Sequence, residues 1–253
     1  MSRGSRAGLA RTLQRSRVRA SPVQQLPLGV RLRDRAVLES FYPGDNAQAL
    51  AWLAGLVTPV GRGVGWLCGP AGSGKSHLLQ AVCAQLPGSG YFPLAELARL
   101  GPGTREGAER LSGVCIDDLQ AVAGQADWEA ALFRLYVEID LRRGRLLVAA
   151  DQPPAGLPLR LADLASRLAV ASVFPLKPLD EAEQRAALRL RAQARGLELP
   201  EETALYLQRR FPRDMGTLQR LLDTLDTASL AEQRRLTLPF IRGVLKDHLP
   251  RGE

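Results

Sequence analysis

The sequence predicts an α/β protein: a parallel sheet covered by helices on both faces, followed by a small subdomain built of helices alone. Three observations carry this reading. Gly69-Pro70-Ala71-Gly72-Ser73-Gly74-Lys75-Ser76 is a complete G-x-x-x-x-G-K-[ST] phosphate loop set between an apolar run and an amphipathic one. Short, nearly continuous apolar runs then alternate with helical patterns, as expected of strands buried on both faces. From Asp180 onward only helical patterns remain.

The elements follow in chain order. Residues 1–22 are expected to form a disordered basic tail and 23–39 a leader, with the αβα domain over 40–178 and the helical subdomain over 179–253. Ala47 to Val57 reads as a helix, Val64 to Cys68 as a buried strand, and Ser76 to Leu86 as a helix stopped at Pro87-Gly88. Gly90 to Leu94 is a short strand, and Val114-Cys115-Ile116 an apolar strand ending in Asp117-Asp118. Asp127 to Arg142 carries Trp128, Leu132, Leu135 and Ile139 at helical spacing; Leu146 to Ala150 is a strand ending at Asp151, and Val173 to Leu176 the last one. The helical subdomain comprises Asp180 to Arg195 with an N-cap Asp and a Gly196 stop, Glu201 to Arg210, Asp214 to Leu230, and Pro239 to Leu249.

Composition narrows the class. A chain of 253 residues, 45% hydrophobic, can bury the core of one or two domains, and no stretch of 18 apolar residues lacks a charge, so no membrane partner is expected. Cys68, Cys83 and Cys115 form no C-x-x-C pair and read as buried hydrophobes of a cytoplasmic protein. Of the net charge of +8, six units sit in residues 1–20, as six arginines without an acid. The folded part is therefore nearly balanced. The tail lacks the large apolar residues that would order it; weak DNA binding and a transit-peptide role stay open beside that reading.

The phosphate loop carries the chemistry. The chain has 31 arginines and only three lysines, yet a lysine stands where the loop needs a compact ammonium. A thin Lys stem can lie along the loop and bring a point charge between β- and γ-phosphate oxygens, which a planar guanidinium fork cannot. The glycines let successive N–H groups curl around an anion, the following helix adds its positive end, and Ser76 offers a hydroxyl to Mg²⁺. About 40 residues downstream, Asp117 is placed to join the Mg²⁺ shell and Asp118 to orient or deprotonate a water. Asp151 either senses the γ-phosphate or merely forms the turn before Gln152-Pro153-Pro154.

In order, the phosphate loop, Asp117-Asp118, Asp151-Gln152-Pro153-Pro154, Leu164-Ala165-Ser166-Arg167-Leu168 and Arg213-Asp214-Met215 resemble the DnaA branch of AAA+ ATPases, and within it the Hda regulators of DnaA. The resemblance covers roughly residues 22 to 249. It implies an AAA+ P-loop αβα domain with a helical lid, bound ADP or ATP with Mg²⁺, and negative regulation of DNA replication initiation. It also implies that Arg167 is an arginine finger offered to a neighbour's nucleotide, Arg213 a second sensor reaching from the lid, and Phe41 and Asn46 part of the adenine side. Gln24-Gln25-Leu26-Pro27-Leu28 looks like the family's sliding-clamp motif, with Leu26 and Leu28 filling apolar pockets and Pro27 limiting the entropy lost on docking. The implied partners are the clamp, DnaA, and DNA indirectly through the clamp, with homo-oligomerisation open. Because the chain ends at Glu253, no DNA-reading helix-turn-helix domain is expected after the lid. Hda proteins often carry Asn where this chain has Asp118, so hydrolysis of the protein's own ATP also stays open. So do the readings of an adaptor or helicase loader and of a stand-alone ATPase.

Overall fold

Five strands form one parallel sheet: β1 (Gly63–Cys68), β2 (Gly90–Pro93), β3 (Val114–Asp117), β4 (Arg145–Ala150) and β5 (Ser172–Pro175), in spatial order β2-β3-β4-β1-β5. The computed structural model describes residues 36–105, 107–211, 215–232 and 236–246. The strands alternate faces with a period of two, and that alternation builds two cores. Trp66, Cys68, Val114, Ile116, Leu146 and Val148 pack on one face under α3 (Leu94–Leu97), α4 (Ala126–Leu141) and α5 (Ala162–Leu168). Leu67, Cys115, Leu147 and Ala149 pack on the other under α1 (Ala47–Leu56) and α2 (Lys75–Gln85).

The third core belongs to the lid, where α6 (Glu181–Ala194), α7 (Glu201–Arg210), α8 (Met215–Glu232) and α9 (Leu238–Val244) bury Leu188, Leu207, Leu222 and Ile241 among themselves. The fold class is thus the expected one, a parallel-sheet αβα domain with an all-helical lid. Beyond small shifts at the ends of elements, three features differ from the sequence reading. Leu94 opens α3 instead of ending β2, because the chain turns into a helix at Pro93. Residues 162–168 form α5, where no helix was expected. Ala36 and Leu38 are buried in the second core, so folded structure starts ahead of the expected boundary at residue 40. The tail and the Gln24–Leu28 motif lie outside the described residues, as does Arg213.

At the amino-terminal edge of the sheet, one arginine shows why this composition favours guanidinium. Arg145, the first residue of β4, donates to the carbonyls of Leu56 and Thr58 at 2.9 Å each and to those of Ser112 and Pro59 at 3.3 and 3.4 Å. A forked donor closes the exposed carbonyl end of α1 and ties it to the sheet.

Candidate functional site

The phosphate loop leaves β1 at the carboxyl edge of the sheet and turns directly into α2. Gly72 and Gly74 have φ of 79° and 97°, values that glycine adopts without strain. A Cβ on Gly74 would lie 2.6 Å from Phe41 Cε2, so the close approach of that ring requires glycine there too. Lys75 is the first residue of α2, and the first turn of a helix presents backbone N–H groups without intrahelical acceptors. Its ammonium donates to the carbonyls of Gly69 at 2.7 Å and Pro70 at 2.9 Å, which fixes the stem along the loop. The Ser73 hydroxyl is buried and, among the described residues, has no hydrogen-bond partner. Glycines, helix start, ammonium and an orphaned hydroxyl together suit an anionic phosphate.

Asp117 ends β3 facing this loop and is almost fully buried. Tyr91 donates to its Oδ2 at 2.6 Å and the Asp118 N–H to its Oδ1 at 3.0 Å. Burial pushes the Asp117 carboxyl above the usual carboxylate range; hydrogen bonds from Ser76 and Tyr91 oppose the shift, and the charge of Asp118 adds to it. Burial and the same carboxylate push the Tyr91 hydroxyl upward. Ser76 and Asp117 therefore meet as a hydroxyl–carboxylate pair. Among the described residues no group of three His, Cys, Asp or Glu could hold a metal. A serine hydroxyl beside a carboxylate is the kind of small oxygen set with which proteins commonly hold Mg²⁺ together with substrate phosphates.

Asp118 adopts the left-handed region, φ 55° and ψ 47°, and receives Gln120 Nε2 on Oδ1 at 3.0 Å. That uncommon backbone turns it into a cavity of about 310 Å³ between the αβα domain and the lid. Residues 71–76 and Phe41 form its floor, with Tyr42, His77 and Gln80 beside them. Leu179, Ala187, Arg191, Met215, Gly216 and Gln219 supply the lid wall.

The other expected site residues fall in different places. Asp151 is exposed at the end of β4 and does not line this cavity, although β4 lies between β1 and β3 on the same sheet edge. Asn46 is buried, but its amide is engaged elsewhere: Nδ2 donates to the Lys177 carbonyl at 3.0 Å and Oδ1 accepts the Lys177 N–H at 2.8 Å. It clamps the strap between β5 and α6 and is absent from the cavity wall. Arg167, on α5, is exposed, pairs with Asp140 at 3.9 Å, and also stands outside the cavity lining. The backbone N of Met215, two residues after Arg213, lies 3.9 Å from where a Cβ on Gly72 would be, so α8 starts over the phosphate loop.

Sequence reasoning missed Tyr91, Arg191 and Gln219. Arg191 Nη1 donates to Gln219 Oε1 at 2.8 Å, joining α6 to α8 at the cavity wall. Nothing distinguishes Arg191 in a chain so rich in arginine, and Tyr91 reads as an ordinary strand residue.

Comparison with known proteins agrees with this architecture. Residues 180–245 match the family described as Hda, lid domain. Domain III of the replication initiation protein DnaA from Thermotoga maritima superposes with a TM-score of 0.67 at 22% identity, covering 87% of this chain and 99% of that one. AMPPCP-bound DnaA from Aquifex aeolicus gives 0.62 at 20% identity, covering 79% and 68%. RuvB of Thermotoga maritima gives 0.54 at 17%, covering 80% and 67%. Residues 180–245 thus match an Hda-type lid, and the chain as a whole shares the fold of DnaA domain III.

Proposed function

We propose that this protein is a nucleotide-bound regulator of replication initiation that acts on the ATP of DnaA. The phosphate loop holds ADP or ATP, with Lys75 at the phosphates and Ser76 and Asp117 toward Mg²⁺. The bound nucleotide supplies the charge that ties the lid wall to the loop. Asp151, at the same sheet edge though outside the cavity wall, and Arg213, two residues before Met215 in the sequence, serve as its sensors. Asp118 faces the same cavity, which favours some turnover of the protein's own ATP as a secondary activity. On this reading the protein works in the bacterial cytoplasm and docks through Gln24–Leu28 on the DNA-loaded sliding clamp.

The observation that carries the proposal is the location of Arg167. It stands exposed on α5, outside its own nucleotide cavity, and its ion pair with Asp140 is solvent-exposed and costs little to break. A cation so placed can reach a nucleotide on another molecule, where it would stabilise the charge developing on the transferred phosphoryl group. Hydrolysis would leave DnaA in its ADP form and limit re-initiation. Arg167→Ala should lower clamp-dependent hydrolysis of DnaA-bound ATP by roughly 10³-fold or more, while nucleotide affinity at the protein's own site stays the same. An unchanged stimulated rate would remove the proposal.

A further inference from the structure

Glu129 is a buried carboxylate that takes no part in the nucleotide cavity. It lies in the first turn of α4 and is 1% exposed. Oε2 accepts the backbone N–H of Leu161 at 2.6 Å and of Arg160 at 3.0 Å. Oε1 accepts the N–H of Gly124 at 2.6 Å and that of Arg160 at 3.2 Å. One charge thus gathers three backbone donors from two separate loops. The first loop, ending at Gly124, follows Asp118; the second launches α5, which carries Arg167.

The carboxylate fastens the chain at the entrance to the helix, on the N–H groups of Arg160 and Leu161 and not on those of its first turn. Leu161 occupies its N-cap position, and no side chain there accepts from the first turn. Leu164 and Leu168 anchor α5 from below, whereas the Arg167 pair with Asp140 is solvent-exposed and long. The guanidinium is therefore positioned by the backbone of α5, and the start of α5 is positioned by Glu129. The two loops also touch directly: a Cβ on Gly124, whose φ is 83°, would lie 3.5 Å from the Pro158 carbonyl.

We infer that Glu129 is the positioning residue of the arginine finger, holding α5 at the angle that points Arg167 outward. The inference rests on the reading of Arg167 given above. A carboxylate fits the role because charge-assisted bonds to several N–H groups are shorter and stronger than neutral ones. Its amide analogue offers one acceptor oxygen and turns an N–H₂ toward the remaining donors.

The test uses the full-length protein carrying Glu129→Gln. Hydrogen exchange should quicken across residues 157–168 while α2 and the lid helices keep their protection and affinity for the protein's own nucleotide is unchanged. Stimulated hydrolysis of DnaA-bound ATP should fall on the order of 10²-fold in kcat, with little change in the DnaA concentration giving half-maximal rate. In an Arg167→Ala background the same substitution should have no further effect on that rate. Unchanged exchange over 157–168, or an equal loss with and without Arg167, would overturn the inference. If Arg167→Ala alone proved silent, the functional reading would fail, and the exchange measurement would still decide whether Glu129 holds α5. Should Glu129→Gln unfold the whole protein, Glu129→Asp keeps the charge, shortens the reach by one methylene and gives the same comparison at smaller amplitude.

Discussion

At the scale of one residue, Asp117 joins two requirements that conflict. The Mg²⁺ role proposed for it needs an ionised carboxylate, yet burial disfavours the charge and raises the pKa. Between the ordinary carboxylate value and that raised value, the native state holds more protons than the unfolded chain. Stability contributed by this group is therefore present at low pH and is lost as pH rises through that window. Once ionised, Asp117 is a buried charge that the bonds from Tyr91, Ser76 and the Asp118 N–H only partly offset. Asp117→Asn should then raise Tm at pH 7 by ~2–4 °C, the equivalent of about 1 kcal/mol in a chain of this size, and should weaken Mg²⁺-dependent nucleotide binding. Calorimetry across pH checks the sign: the advantage of the variant should shrink as pH falls toward 4. A variant less stable than the parent at pH 7 would show that Tyr91 and Ser76 more than offset the burial.

At the scale of the element, α6 is fastened by a reciprocal cap: Asp180 Oδ1 accepts the Glu183 N–H at 2.8 Å and Glu183 Oε2 accepts the Asp180 N–H at 2.9 Å. Asp180→Ala should cost about 1 kcal/mol, read as faster hydrogen exchange in the first turn of α6 while the sheet, which has its own cores, keeps its protection. Glu183 completes that cap in the structure; its Asp180 half, three residues earlier, was legible in the sequence as an N-cap acid. So were the long helices and the phosphate loop, each set by local spacing. The seven-residue α5 was not, since only Leu164 and Leu168 mark its buried side, too little for a 3.6-residue period to emerge. Glu129 reads as one more acid at a helix start, and its meaning depends on backbone groups 31 and 32 residues away. Asn46 was read as an adenine-side residue, whereas its amide engages Lys177, 131 residues away in the chain.

At the scale of the whole molecule, the second sheet core and the lid core meet along residues 41–46. Phe41 belongs to the sheet, Tyr42 packs on the lid, and Asn46 holds both backbone polar groups of Lys177 in the strap between them. Asn46→Ala would leave that N–H and carbonyl without these partners, at a cost of roughly 1–3 kcal/mol for each group that stays buried. It should lower nucleotide affinity by about tenfold without touching the cavity, because the lid wall would lose its register with the phosphate loop. Fluorescent-nucleotide titration measures this, and an unaltered affinity would show that the strap does not govern the lid. The two outer strands, β2 and β5, have a wider consequence. Each has only four residues and each ends in a proline, Pro93 and Pro175, which has no N–H to offer a neighbouring chain. The sheet is a poor template for growth by strand addition, either into aggregates or into a shared sheet. That shifts the contacts open to this part of the molecule from backbone pairing to side chains on its surface, which can form and release without unfolding an edge.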